Sequence, residues 1–135
     1  MDTPAWMRGS ARAISLGCIA TLVAVGVLLV FDPFESPWTS LGLQYLSSAA
    51  LGLDAIAHGV RKRSCVGPSI VNLAPGGWAV FASMFWIVAV PAYFIGARRR
   101  VHDGEPREPL TWGSWAIVGG FVLFGAALAC APLVR

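Results

Sequence analysis

An all-α, polytopic transmembrane helical bundle is the fold class this sequence predicts, and three observations carry that prediction. Of 135 residues, 56% are hydrophobic and only 13% charged, with a mean hydropathy of +0.67, which is too apolar for an ordinary water-soluble domain. The apolar residues come in uncharged blocks of span length, over residues 13–31, 78–97 and 115–134. The basic residues flank those blocks as Arg8/Arg12, Arg61-Lys62-Arg63 and Arg98-Arg99-Arg100. Positive-inside bias and anionic head groups account for that placement, so the net charge of +3 does not point to nucleic acid.

The first block, AISLGCIATLVAVGVLLVF, is about 28 Å long as a helix and long enough to cross the hydrocarbon layer. It runs into Asp32-Pro33-Phe34-Glu35 without a small-residue cleavage site, which predicts a retained anchor and not a signal peptide. Block 78–97 follows Pro75-Gly76-Gly77 and closes on three arginines. It contains Pro91, whose missing N–H and ring clash predict a kink that frees the carbonyl of Ile87. Block 115–134 is announced by Trp112 and Trp115, whose indoles suit the head-group layer.

Residues 38–60, WTSLGLQYLSSAALGLDAIAHGV, form the fourth element. At 3.6 residues per turn Ser40, Gln44, Ser47, Asp54, His58 and Arg61 share one stripe, interrupted by Leu51, opposite an apolar face. Two arrangements fit: a fourth span with its stripe turned into the bundle, or a helix lying in the interface with that stripe in water. The four-helix bundle is expected, because the apolar face is long and Asp54, near one end, is its one acid. Arg8 and Arg12 against Asp32 and Glu35 favour a cytoplasmic N-terminus. Both arrangements put the two basic triplets on opposite faces and give six basic residues inside against four outside, so charge does not separate them.

The candidate polar intramembrane stripe is Gln44, Ser47, Asp54, His58 and Arg61. Asp54 and His58, four apart, can meet, and an ionisable pair at membrane depth is a candidate proton relay or half of a metal site. The plainer reading is local pairing of Asp54 with His58 and Arg61. Two ligands do not make a zinc site, and the other histidine, His102, is on a distant loop, so no metal and no cofactor are expected. Gln44, Ser47 and Ser48 are expected to bond across helices, while Gly52, Gly59, Gly120, Gly125 and Ala129 are small positions where helices can approach. Trp86, Pro91 and Tyr93 form a mid-block kink and aromatic cluster, expected to pack in the bundle or face lipid. No serine has a histidine base arranged beside it, and Cys18, Cys65 and Cys130 form no C-x-x-C pair, so neither a hydrolase nor a disulfide framework is indicated.

The run Asp54-Ala55, His58-Gly59 and Arg61-Lys62-Arg63, followed by W-x-x-x-x-P-x-Y at Trp86, Pro91 and Tyr93 and closing on Arg98, resembles a pattern in small uncharacterised bacterial inner-membrane proteins. In those proteins a D-A helix and a P-x-Y helix look like a membrane hairpin. The resemblance implies four spans and a bacterial inner membrane, and no activity. The expected function is that of a non-enzymatic accessory or interaction subunit, whose partners are the lipid bilayer and other membrane subunits or a second copy. The alternative is a small oligomeric transporter or proton-conducting bundle using Asp54 and His58.

Overall fold

The computed structural model describes residues 3–31, 36–64, 67, 69, 71–101 and 104–134. Among them the secondary structure is helical, apart from one isolated bridge between Arg63 and Arg107. The helices are α1 (Ala5–Gly9), α2 (Ala11–Phe31), α3 (Pro37–Ala57), α4 (Pro75–Ala92) and α5 (Trp112–Cys130). A π turn (Tyr93–Ala97) and a 3₁₀ turn (Arg98–Arg100) continue α4, and a 3₁₀ turn (Ala131–Val134) continues α5. Three stretches of this helical chain, Ala11–Leu28, Pro75–Arg100 and Trp112–Leu133, are long and apolar enough to cross a membrane, as in a multi-pass membrane protein. The acidic turn 32–35, Cys65 and His102 lie outside the described residues.

The amphipathic segment becomes α3, and α3 is the helix on which α2, α4 and α5 all pack. It starts with Pro37 in its first turn, where a missing N–H is harmless. It ends in a Schellman motif: Val60 N–H bonds to Ala55 C=O at 2.8 Å and Gly59 N–H to Ile56 C=O at 3.2 Å, with Gly59 at φ 68°. Gly59, expected as a packing position, has open space around its α-carbon and supplies the left-handed turn instead. From Ser47 to Gly52 and from Asp54 to Ala57 every residue is buried, so Ser47 and Asp54 of the polar stripe are turned into the bundle.

Small residues set how closely the neighbours approach. A Cβ on Gly42 would lie 2.5 Å from Ala129 N and 2.6 Å from Gly125 O; one on Gly125 would lie 2.8 Å from Gly42 O. Gly125 and Ala129 therefore form the α3–α5 crossing within one chain, and Gly52 repeats the device against Val118 and Ala79. Tyr45 closes the same seam with edge-on contacts to Phe121 and Phe124, both at 5.1 Å. Gly120 makes no such contact: nothing lies within 4 Å of its would-be Cβ. On α2 the buried residues Ser15, Cys18, Leu22 and Val25 follow the helical period and face α3.

The stretch 78–97, expected as a single span kinked at Pro91, is a helical hairpin. Trp78 and Tyr93 stand with ring centroids 5.3 Å apart, whereas 15 residues of continuous helix would separate their backbones by about 22 Å. The reversal is at Phe85, whose φ −134° and ψ 52° leave the helical region. Ala82 and Ala89, on the two limbs, are fully buried in one cluster with Trp78 and Tyr93. The break is thus at Phe85 and not at Pro91, which stays helical and exposed, followed by the wider π turn. At the level of the break, where the helical ladder is interrupted, the Gln44 amide donates to the Ser83 carbonyl at 2.7 Å.

Because α4 returns to the end it came from, its two flanking loops meet. Ser64 N–H bonds to Pro106 C=O at 3.1 Å and Glu108 N–H to Lys62 C=O at 2.8 Å, with Lys62–Glu108 and Arg63–Glu105 ion pairs alongside. The two basic triplets, expected on opposite faces, therefore lie at the same end, together with Arg8, Arg12 and Arg107. Nine of the ten basic residues are there, and the tenth, Arg135, lies outside the described residues.

The close crossing gives glycine substitutions opposite signs. Gly42→Ala should destabilise by about 1–3 kcal/mol through backbone overlap, whereas Gly120→Ala should be neutral or stabilising by up to about 1 kcal/mol from helix propensity. Thermal unfolding in detergent followed by circular dichroism checks both.

Candidate functional site

The polar stripe of α3 meets the α4 hairpin in a regular ladder, first at the turn and then along the returning limb. Gln44 reaches Ser83, Ser47 reaches Trp86 and Asp54 reaches Tyr93, each partner 39 residues further along the chain. Partners separated by a constant offset mean that α3 and the returning limb run parallel. Each rung is specific: the Trp86 indole N–H donates to Ser47 Oγ at 3.0 Å, while Ser47 and Ser48 donate to the Gln44 carbonyl, both at 2.8 Å. Trp86 also fills the notch at Gly26 of α2, where a Cβ would come within 3.1 Å of its ring.

Asp54 is the deepest charge, with 0% exposure. Its Oδ2 accepts the Tyr93 hydroxyl at 2.5 Å and lies 3.2 Å from Arg98 Nε. Arg98 in turn donates through Nη2 to Ser15 Oγ on α2 at 3.1 Å and stands 2.8 Å from His58 Nε2. A guanidinium carries only donors, so Nε2 is the acceptor in that contact and the imidazole is neutral. That leaves no Nε2–H to reach Asp54 Oδ1, whose 3.7 Å separation from Nε2 is in any case too long for a hydrogen bond. Oδ1 is left buried without a hydrogen-bond partner among the described residues.

Asp54, expected to pair locally with His58 and Arg61, is therefore held by Tyr93 and Arg98, from the far limb of the hairpin. Arg61 turns the other way. It bonds to the carbonyls of Ala55 and Val60 and to the Thr3 hydroxyl, tying the N-terminal segment to the end of α3. Of the expected stripe, Gln44, Ser47, Asp54 and His58 share the α4-facing side and Arg61 does not. Tyr93, Arg98 and Ser15 were missed as partners; the signal available was that a buried carboxylate requires a cation, and three arginines close the same apolar block.

Two spaces adjoin this ladder. At the hairpin tip, a cavity of about 510 Å³ is lined by Gly26, Gln44 and residues 84–88 and is mostly apolar. At the basic end, a polar recess of about 340 Å³ is lined by Arg8, Ala57, His58, Arg98 and Val101, so that His58 and Arg98 form the wall between solvent and Asp54. Among the described residues no group of three or more His, Cys, Asp or Glu side chains converges as metal ligands would.

Removing one member of the buried pair leaves the other uncompensated. Asp54→Asn and Arg98→Gln should each destabilise by about 3–5 kcal/mol, and the double variant by much less than the sum. Tyr93→Phe should lose about 1–2 kcal/mol. Denaturant titration in detergent, analysed as a double-mutant cycle, measures all of these; additive losses would show that the pair is not coupled. No protein-family model, no curated protein and no solved structure matches this chain.

Proposed function

We propose that the chain is a non-enzymatic accessory subunit of the inner membrane of a bacterium, with α2, α3 and α5 crossing the bilayer and α4 as a re-entrant hairpin. The basic end, with the N-terminal segment, faces the cytoplasm in this reading; nine basic residues at one end support it through the positive-inside rule. At 21 residues α3 is about 32 Å long, enough to cross, and its polar stripe is shielded by neighbours.

The observation that carries the accessory role is how the polar groups are used. Gln44, Ser47, Asp54 and His58 all engage the hairpin or Arg98, as groups that hold a fold together do. What remains outward is helix surface: α5 buries only Ser114, Val118 and Gly125, and exposes Val122, Leu123 and Phe124 next to the open Gly119 and Gly120. Such a face suits lipid or another helix. Extraction in mild detergent with a C-terminal tag should recover the chain with larger membrane subunits, and Gly120→Leu should weaken that recovery without unfolding the chain. Elution of the unmodified chain as a lone monomer would count against the role.

A second reading, conduction through an oligomer, is favoured by one observation: Asp54 Oδ1 is buried and unpaired directly behind a polar recess. Under it, proton flux into liposomes containing the protein should disappear on Asp54→Asn, and absence of flux from the unmodified protein would remove it.

A further inference from the structure

We propose that the recess at the basic end is a binding site for the phosphodiester of one anionic lipid head group. This rests on the reading that this end meets a head-group layer, and not on which side of the membrane that is or on any protein partner. Exposed Trp6 and Trp112 flank the same end, as interfacial anchors do.

The recess is assembled from three chain segments: Arg8 from α1, Ala57 and His58 from the end of α3, and Arg98 and Val101 from beyond the returning limb. At about 340 Å³ it is at the small end of ligand pockets, which run about 300–1,000 Å³. Its donors differ in kind. Arg98 is fixed on three sides by Asp54, Ser15 and His58. Arg8 is exposed and its side chain has neither a hydrogen-bond nor an ion-pair partner among the described residues, so its planar fork is free to close on an anion.

The charge selects the ligand. Asp54 balances Arg98, His58 accepts from Arg98 and is neutral, and Arg8 leaves the recess with one net positive charge. The two described acids of the adjoining loops, Glu105 and Glu108, are paired with Arg63 and Lys62 and do not line it. A singly charged phosphodiester, as in a phosphatidylglycerol head group, matches that charge at that depth, and a zwitterionic head group does not.

The test is native mass spectrometry of the purified full chain in mild detergent, titrated with phosphatidylglycerol or phosphatidylcholine. Phosphatidylglycerol should bind about tenfold more tightly, and Arg8→Gln should remove that preference. Arg12→Gln, which deletes an equal charge from an exposed residue outside the recess, should change it less than about twofold. Unchanged melting temperatures for both variants confirm that the fold is intact. Equal losses from the two variants would show diffuse surface attraction and overturn the site, as would equal retention of the two lipids. Inorganic phosphate is titrated in parallel: failure to displace the lipid supports the lipid source, and displacement with the same Arg8 dependence overturns it in favour of a soluble phosphate. Neither result depends on what co-purifies with the chain.

Discussion

The buried carboxylate of Asp54 is the constraint around which this molecule is arranged. A carboxylate with 0% exposure inside an apolar bundle needs a cation and hydrogen-bond donors. They come from a segment 39 to 44 residues away, Tyr93 at 2.5 Å and Arg98 at 3.2 Å. For Tyr93 and Arg98 to stand beside α3 at that level, while α4 also begins there, the α4 chain must double back. The hairpin, the meeting of the two loops and the gathering of basic residues at one end all follow from that reversal.

The reversal also decides what the other polar groups do. Gln44 serves the interrupted backbone at Ser83, and Ser47 holds the Trp86 indole just past the turn. Both limbs approach closely because Ala82 and Ala89 carry almost no side chain. A single bond of this kind contributes about 0.6 kcal/mol on average in a bilayer; its importance here is in register, since a one-residue slip would separate every rung of the ladder at once. The Asp54–Arg98 pair need add little net stability to serve the same end, because a displaced Arg98 would leave a bare buried charge.

Much of this was legible in the sequence. The three apolar blocks and the amphipathic helix are where hydropathy and the 3.6-residue period put them, and Gln44, Ser47, Asp54 and His58 do share the side that faces α4. Partner identity was not legible: Tyr93, Arg98 and Ser15 are distant in the chain, and Arg61, in register with the stripe, lies past the Gly59 turn that redirects it. The hairpin was hidden for a simpler reason. Its turn, in the run Ser83-Met84-Phe85-Trp86, contains no glycine or proline, while the residue that does signal a break, Pro91, sits on the returning limb. Uniform apolarity says that a segment prefers lipid, and not whether it crosses or returns.

Sidedness of the two loops tests the hairpin most directly. In chains whose native cysteines have been replaced, single cysteines at Ser64 and at Arg99 are exposed to a membrane-impermeant thiol reagent in intact and in permeabilised cells. Both positions are exposed and at the basic end of the structure. The hairpin requires both to react from the same side, and a cytoplasmic basic end requires that side to be reached only after permeabilisation. Labelling of one position in intact cells with protection of the other would mean that residues 75–100 cross the membrane once, and the arrangement described around Asp54 would be wrong.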